Sequence, residues 1–276
     1  MKARFYYSGN DFHNYCIESI QLGCPFKVEV GHLTDYKPAD VAVMYGTFKK
    51  AVPISWPRGE ILRKQKELGL KTVVLDSGYI KRGDGPEDYQ SVGFDGLNGR
   101  ADFKNPDMPA DRWNELEAEM LPWKEGGEHI LLCGQVPWDA SVQNVNVLKW
   151  LRDAVDQIRR VTKRPIRYRP HPKAVQASPP IDGTDYSLKP LGEDLDDCWA
   201  VVTYNSNTGV DAVLLGRPVF AFDRGSMAFP VANREWSDLL NPARPDRKQW
   251  ACNLAYTQWT PTEMKEGKPW QHLFRM

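Results

Sequence analysis

The segment YRPHPK, residues 168–173, sets a histidine between two prolines at the end of a basic run. From Arg159 to Lys173 seven residues are basic and none is acidic. Pro170 and Pro172 remove two backbone donors and fix φ. His171 therefore stands on a rigid arm at the end of the strand that RPIRYRP (164–170) predicts. An imidazole of ordinary pKa, ~6.5, donates to a phosphate whether neutral or charged. Arg169 and Lys173 add positive charge beside it. The plainer alternative is a solvated basic turn, with Arg159, Arg160 and Lys163 on a helix's outer face.

A second segment, VVTYNSNTGVDAVLLG (201–216), passes from an apolar strand straight into a helix. The first N–H groups of that helix are free and its dipole is positive there. Such a terminus holds a phosphate without a metal. Ser206 and Thr208 add hydroxyls, Gly209 lets a ligand approach the backbone, and Asn207 lies in the same turn. Asp211, one turn into the helix, can accept from ribose hydroxyls. The structural alternative is a well-capped helix with Gly209 required for packing.

In the first half, VVLDSGYIKRGDG (73–85) ends a strand in Asp76-Ser77-Gly78. A carboxylate at that point can deprotonate an acceptor hydroxyl. The glycine-rich loop SVGFDGLNGRADF (91–103) adds Asp95, Asn98, Arg100 and Asp102. Asp76, Ser77 and Arg100 are the candidate acceptor contacts. The segment CGQVPWDAS (133–141) is a strand-to-helix loop at the same sheet edge as His171 and Ser206. GEDLDDC (192–198) contains D-x-D, but its place before a strand marks a helix end, and no metal site is expected.

These segments need elements to position them. Strands are expected at 3–8, 41–46, 71–78, 129–134, 164–170, 198–206 and 217–223. Helices are expected at 11–22, 57–68, 111–121 with Asp111 as its cap, 147–158 and 208–216, and over 260–274 with Thr260 or Thr262 as cap. The helix at 147–158 lines up Val147, Leu148, Leu151, Ala154, Val155 and Ile158 on one stripe. Strands alternating with helices imply parallel sheets. PWKEGGEH (122–129) concentrates Pro, Gly and charge and reads as a linker between two series. The expected class is α/β, with two Rossmann-like domains facing a cleft and ligands beyond the carboxyl ends of the strands. Residues 1–124 are expected as the first domain and 125–258 as the second, phosphate-holding one. Residues 259–276 form a terminal helix packing back on the first.

The 276 residues are 41% hydrophobic, enough for real cores. Balanced charge, 36 basic against 36 acidic, excludes a global field that draws in DNA or an anionic membrane. Cys16, Cys24, Cys133, Cys198 and Cys252 show no C-x-x-C spacing. They suit a reducing compartment better than a disulfide framework or zinc site. No signal-peptide core and no apolar run of ~18–20 residues is present, so a soluble cytoplasmic protein is expected.

Together QVP (135–137), RPHP (169–172) and NSNTGVDA…GRPV (205–219) resemble the Q-x-P, His-Pro and S-S/T-T-G-x-E-A motifs of the capsule-polysaccharide transferases. That group includes the bacterial β-Kdo transferases. LDSGYIKR (75–82) is similar to their E-D-G-F-x-R-S segment. The resemblance spans roughly residues 71–223. It implies a GT-B glycosyltransferase that takes a nucleotide-sugar as donor substrate, with no cofactor and no obligate metal. It implies that His171 contacts the donor phosphate, that Ser206, Thr208 and Gly209 cradle it, that Asp211 stands at the family's Glu, and that Gln135 lies near the donor. It sets Asp76 at the family's Glu and Ser77 at its catalytic Asp. The base is then Asp76 after a one-residue shift, or else Asp95.

Two acceptors are compatible: a glycan hydroxyl, or a hydroxymethylated pyrimidine in phage DNA. The chain's compactness and the basic, aromatic stretch REWSDLLNPARPDRKQW (234–250) tilt the reading to DNA. A nucleotide-sugar epimerase and a nucleotide-binding module without activity are the other classes. Acceptor-dependent release of free nucleotide separates a transferase from both.

Overall fold

The computed structural model describes residues 1–47, 56–83, 85–142 and 145–276. In chain order the first series is β1 (Lys2–Tyr7), α1 (Asp11–Leu22), β2 (Lys27–His32), β3 (Val41–Tyr45), α2 (Trp56–Glu67), β4 (Lys71–Ser77), β5 (Gln90–Phe94) and α3 (Asp111–Glu115). The second is β6 (His129–Cys133), α4 (Val147–Val161), β7 (Ile166–Arg169), β8 (Asp185–Tyr186), α5 (Leu191–Asp196), β9 (Cys198–Thr203), α6 (Thr208–Leu214) and β10 (Val219–Ala221). The tail adds α7 (Lys248–Ala255), β11 (Gln258–Trp259), α8 (Pro261–Lys265) and α9 (Lys268–Phe274). Two compact units result: residues 1–118 with 251–276, and residues 119–250.

The first unit is a six-stranded sheet in the order β11-β5-β4-β3-β1-β2. Its middle is parallel, and all five residues of β3 are buried, as a strand covered on both faces requires. The sheet is not wholly parallel, contrary to the alternating pattern. β5 runs antiparallel to β4, and β11 antiparallel to β5. Sequence reading took β5 for loop because Gly93 interrupts it. That glycine is needed: a Cβ there would lie 2.7 Å from the Phe103 ring. β2 was missed because it is an edge strand with mostly exposed residues and no apolar run.

Asn10 caps α1, accepting from the His13 N–H at 2.8 Å. α3 stops at Glu115, with Ala110 rather than Asp111 at its cap position. The tail is two helices, not one. Thr260 closes a capping box with Glu263, and Gly267 at φ 80° separates α8 from α9. Beyond that break the Trp270 indole N–H reaches the Ile20 carbonyl at 2.9 Å.

Arg112 joins α3 to the tail. Its guanidinium is buried, donates to Glu263 at 2.7 Å and to the Gln258 carbonyl at 2.9 Å, and lies 3.8 Å from the centre of the Trp259 ring. A charge taken out of water to this degree is stable only with such partners.

The second unit is an all-parallel sheet in the order β10-β9-β6-β7-β8. Five of the six residues of the α4 stripe are buried against it, and Leu148 is half-buried. The segment expected as linker is instead fastened to this unit. Leu121 and Lys124 donate their N–H groups to the Leu214 and Gly216 carbonyls, both at 2.8 Å. Gly216 has φ +77°, and a Cβ there would strike the Pro122 carbonyl, so only glycine fits. Among the described residues no helix is long and apolar enough to cross a membrane.

Replacing Arg112 by alanine leaves Glu263 half of a broken buried pair. The expected loss of unfolding free energy is about 3 kcal/mol or more. Lysine fails to restore it, because one ammonium cannot reproduce both the fork and the ring stacking. Urea unfolding of the two variants checks this, and an unchanged midpoint for Arg112→Ala would refute it.

Candidate functional site

In the second unit the strand order reverses between β6 and β9, where open parallel sheets leave a crevice beyond their carboxyl ends. The loops after β6, β7 and β9 all leave from this end. Two of them are joined directly. The Gln135 side chain donates to Asn205 Oδ1 at 2.5 Å and accepts from the Asn205 N–H at 3.0 Å. Asn205 Nδ2 donates in turn to the Ser141 carbonyl at 2.9 Å and to Asp223 Oδ1 at 2.8 Å. Both amides are buried. The family resemblance implied that Gln135 lies near a donor. Its side chain is bonded to Asn205 and fastens the two loops.

His171 sits at φ −68°, ψ 134° and caps the short turn of 3₁₀-helix over 172–177. Its Nδ1 accepts from the Lys173 N–H at 3.1 Å. The proton of the neutral ring is thereby assigned to Nε2, which has no partner among the described residues. Burial, with smaller contributions from Lys173 and Arg169 and an opposing one from Asp139, holds this histidine below its ordinary range. The result is a neutral imidazole with one free N–H donor on a proline-stiffened arm.

Most of the surrounding basic run is not a free cationic patch. Arg169 donates to the Lys189 carbonyl and to Asp194 Oδ2, the latter at 2.9 Å. Arg167 lies 3.4 Å from Asp194 Oδ1, and the Ser187 hydroxyl donates to the same carboxylate at 2.8 Å. Asp194 is completely buried. Asp194, the first aspartate of the D-x-D, is thus a counter-charge for two arginines, while the second, Asp196, is exposed and lies 3.6 Å from Lys124. Among the described residues no group of His, Cys, Asp and Glu is arranged to hold a metal ion. Arg159 and Arg164 are engaged by backbone carbonyls. Lys173 is exposed and has no ion pair among the described residues.

After β9, Ser206 Oγ accepts from the Thr208 N–H and lies 3.2 Å from the Thr208 hydroxyl. The first N–H groups of α6 are not free, as the sequence suggested: Gly209 donates to the Ser206 carbonyl at 3.0 Å and Val210 to the Asn207 carbonyl at 2.9 Å, because the turn folds back on itself. Ser206, Asn207, Thr208 and Asp211 are half-buried at the start of α6. The reason given for Gly209 needs correction. A Cβ on it would lie 3.1 Å from the Ala228 methyl and 3.4 Å from Val219, so it faces the protein, not a ligand. The packing alternative holds for that residue.

In the first unit Asp76 lies at the carboxyl end of β4, where its Oδ1 accepts from the Ser77 N–H at 2.8 Å. Ser77 beside it is exposed. Asp95 is at the other end of the same strand. It caps the start of β4 at φ 60°, accepting from the Thr72 N–H at 2.8 Å and pairing with Lys71 at 3.1 Å. About 13 Å of strand separates Thr72 from Asp76 at ~3.3 Å per residue. Asp95 and Asp76 are therefore not interchangeable as bases. Arg100 lies in the turn 98–100 that follows β5, beyond Asp95. Two neighbours of Asp76's sheet edge escaped sequence reading. Arg58 donates through Nε to the Tyr45 carbonyl at 2.7 Å, and His13 stacks on the Tyr45 ring at 4.1 Å. No local pattern marks either residue, since each depends on helix-to-strand packing.

The late basic stretch is likewise structural. Arg247 donates to the Val213 and Leu121 carbonyls and lies 4.0 Å from the Trp123 ring centre. Arg244 is held by the Lys124 and Pro242 carbonyls, and Arg234 lies over the Phe229 ring. Trp236 stacks on Phe222 at 4.1 Å, and Trp250 is buried.

No protein-family model matches this chain, and no curated protein does. Solved structures do. The beta Kdo 2,4 transferase of Thermosulfurimonas dismutans KpsC matches with a TM-score of 0.59 at 11% identity, over 91% of this chain and 89% of that one. The beta Kdo 2,7 transferase of the same KpsC matches with a TM-score of 0.54 at 13% identity, over 96% and 97%. At such identity the likeness is one of fold. The chain has the GT-B fold: an α/β protein of two Rossmann-like units.

Burial holds the rings of His129, His171 and His272 below 6.5. The unfolded chain then binds protons that the folded chain refuses. Stability contributed by the neutral rings is complete above 6.5 and declines as pH falls below it. Calorimetry from about pH 8 to about pH 5.5 should show Tm constant at first and then falling. Proton NMR should place the His171 midpoint below that of free histidine; a midpoint at or above it refutes the assignment.

Proposed function

We propose that the protein is a glycosyltransferase that moves a sugar from a nucleotide-sugar donor to a hydroxyl of a glycan-type acceptor. The observation that carries this reading is His171, a neutral donor held by its Nδ1 at the carboxyl edge of a parallel sheet. Its Nε2–H donates to the donor's phosphate. That bond strengthens as the departing phosphate gains charge, and a hydrogen bond to a charged group contributes ~1.5–3 kcal/mol. Ser206 and Thr208 supply hydroxyls at the start of α6. Lys173 supplies positive charge, and Asp211 accepts from the ribose. Gln135 and Asn205 hold the two loops in register.

In this scheme Asp76 in the first unit removes the acceptor proton. A carboxylate at the carboxyl end of a central strand suits that role. Asp95 is not carried forward, because it is engaged at the far end of β4. The scheme calls for no metal and suits a reducing, cytoplasmic setting, which the free cysteines favour. The fold likeness to proteins named as beta Kdo transferases supports the transferase class.

The preference for a glycan over DNA rests on the arginines. A phosphate backbone is bound by cations free to replace its counterions. Here Arg164, Arg167, Arg169, Arg244 and Arg247 are engaged by carbonyls, by a carboxylate or by indoles.

The test follows nucleotide released from a panel of nucleotide-sugars, with capsule-type oligosaccharide or hydroxymethylated duplex DNA as acceptor. The expected result is release that depends on the oligosaccharide. His171→Ala should lower turnover about 10-fold or more, and Asp76→Asn should abolish most of it. Acceptor-independent sugar isomerisation would indicate an epimerase, DNA-dependent release would restore the nucleic-acid acceptor, and full turnover by His171→Ala would sink the mechanism.

A further inference from the structure

Trp138 stands apart from the other tryptophans of the second unit. Trp150 packs on Tyr204, Trp236 on Phe222, Trp199 under Arg164 and Trp123 under Arg247, while the Trp250 N–H is bonded to the Met227 carbonyl. Trp138 is 39% exposed and has no ring or hydrogen-bond partner among the described residues. A single exposed apolar side chain is ordinary on a protein surface, so it is the place of this indole that matters. It forms one wall of a cavity of about 400 Å³ whose other wall is the turn 172–177. That volume falls within the ~300–1,000 Å³ of small-molecule sites.

The chemistry of the walls narrows the occupant. Lys173 lies in the lining, and the residue that caps this turn is His171. Gln176 supplies a side-chain amide, with both a donor and an acceptor. Among the described residues no acidic side chain lines the space. One flat aromatic face, one amide and one cation beside a phosphate-donating imidazole match a planar heterocycle carried next to a phosphate.

We infer that the cavity between Trp138 and the turn 172–177 receives the nucleobase of the donor, stacked on the Trp138 indole. This rests on the nucleotide-sugar reading above and adds to it where the base is held and by which side chain. Stacking is indifferent to which base is present, so selectivity falls to Gln176 and the backbone of the turn.

Isothermal titration with CMP, UMP, AMP and GMP, and separately with inorganic phosphate, tests the inference on the full chain. Wild type should bind at least one nucleotide. Trp138→Ala should weaken that nucleotide about 10-fold or more, as the loss of a stacked base predicts. Its affinity for inorganic phosphate should not change, and Trp138→Phe should keep most of the binding. Because the indole is exposed, the fold should survive substitution, which circular dichroism checks. Unchanged nucleotide affinity in Trp138→Ala overturns the base site and leaves the transferase reading standing. Failure of wild type to bind any nucleotide overturns both.

Discussion

The site in the second unit depends on one buried polar contact, the Gln135–Asn205 pair. It closes a ring of hydrogen bonds between the chain leaving β6 and the chain leaving β9. Asn205 extends the ring to Ser141 and Asp223. Both residues are buried, so the contact is worth more intact than its ~1 kcal/mol net figure suggests. Breaking it leaves a buried donor and acceptor unmet, at ~1–3 kcal/mol each. Loops at a switch point are otherwise the least restrained part of a parallel sheet. With this pair in place, Ser206 and Thr208 begin α6 at a set position relative to the β6 loop, whose Trp138 in turn shares a cavity with the turn that His171 caps.

Arginine in this protein serves mainly to hold irregular backbone. Asp194, without exposure, balances Arg167 and Arg169 and takes the Ser187 hydroxyl. Elsewhere guanidinium groups donate to backbone carbonyls, and several lie over indole rings. The planar fork with five donors makes this possible where lysine would not. Few cations then remain free near His171. A single neutral N–H donor with Lys173 beside it suits one phosphate group better than a polyanion.

Strand direction does similar work in the first unit. β4 carries Asp76 at its carboxyl end and receives Asp95 at its amino end. The two are close in the chain, with only residues 77–94 between them. Yet β5 runs back antiparallel to β4 and delivers Asp95 to the wrong end for chemistry shared with Asp76. Gly93 permits that return by admitting Phe103 against the strand.

Much of the architecture was legible in the residues alone. The apolar runs at β3, β4, β6 and β9, the α4 stripe and the Asn-Ser-Asn-Thr-Gly turn are local patterns, and period and turn chemistry are local properties. The proline-flanked position of His171 and the strand-end position of Asp76 were readable for the same reason. What the tertiary structure decided is which polar groups are still available. Gln135, Arg169, Gly209 and Asp95 have the right types for ligand contact, yet each is turned to the protein by a partner far off in sequence. Trp138 shows the converse: its type is that of a core residue, and only packing leaves it exposed. Availability depends on what lies opposite a side chain across the fold, and no spacing along one strand or helix encodes that.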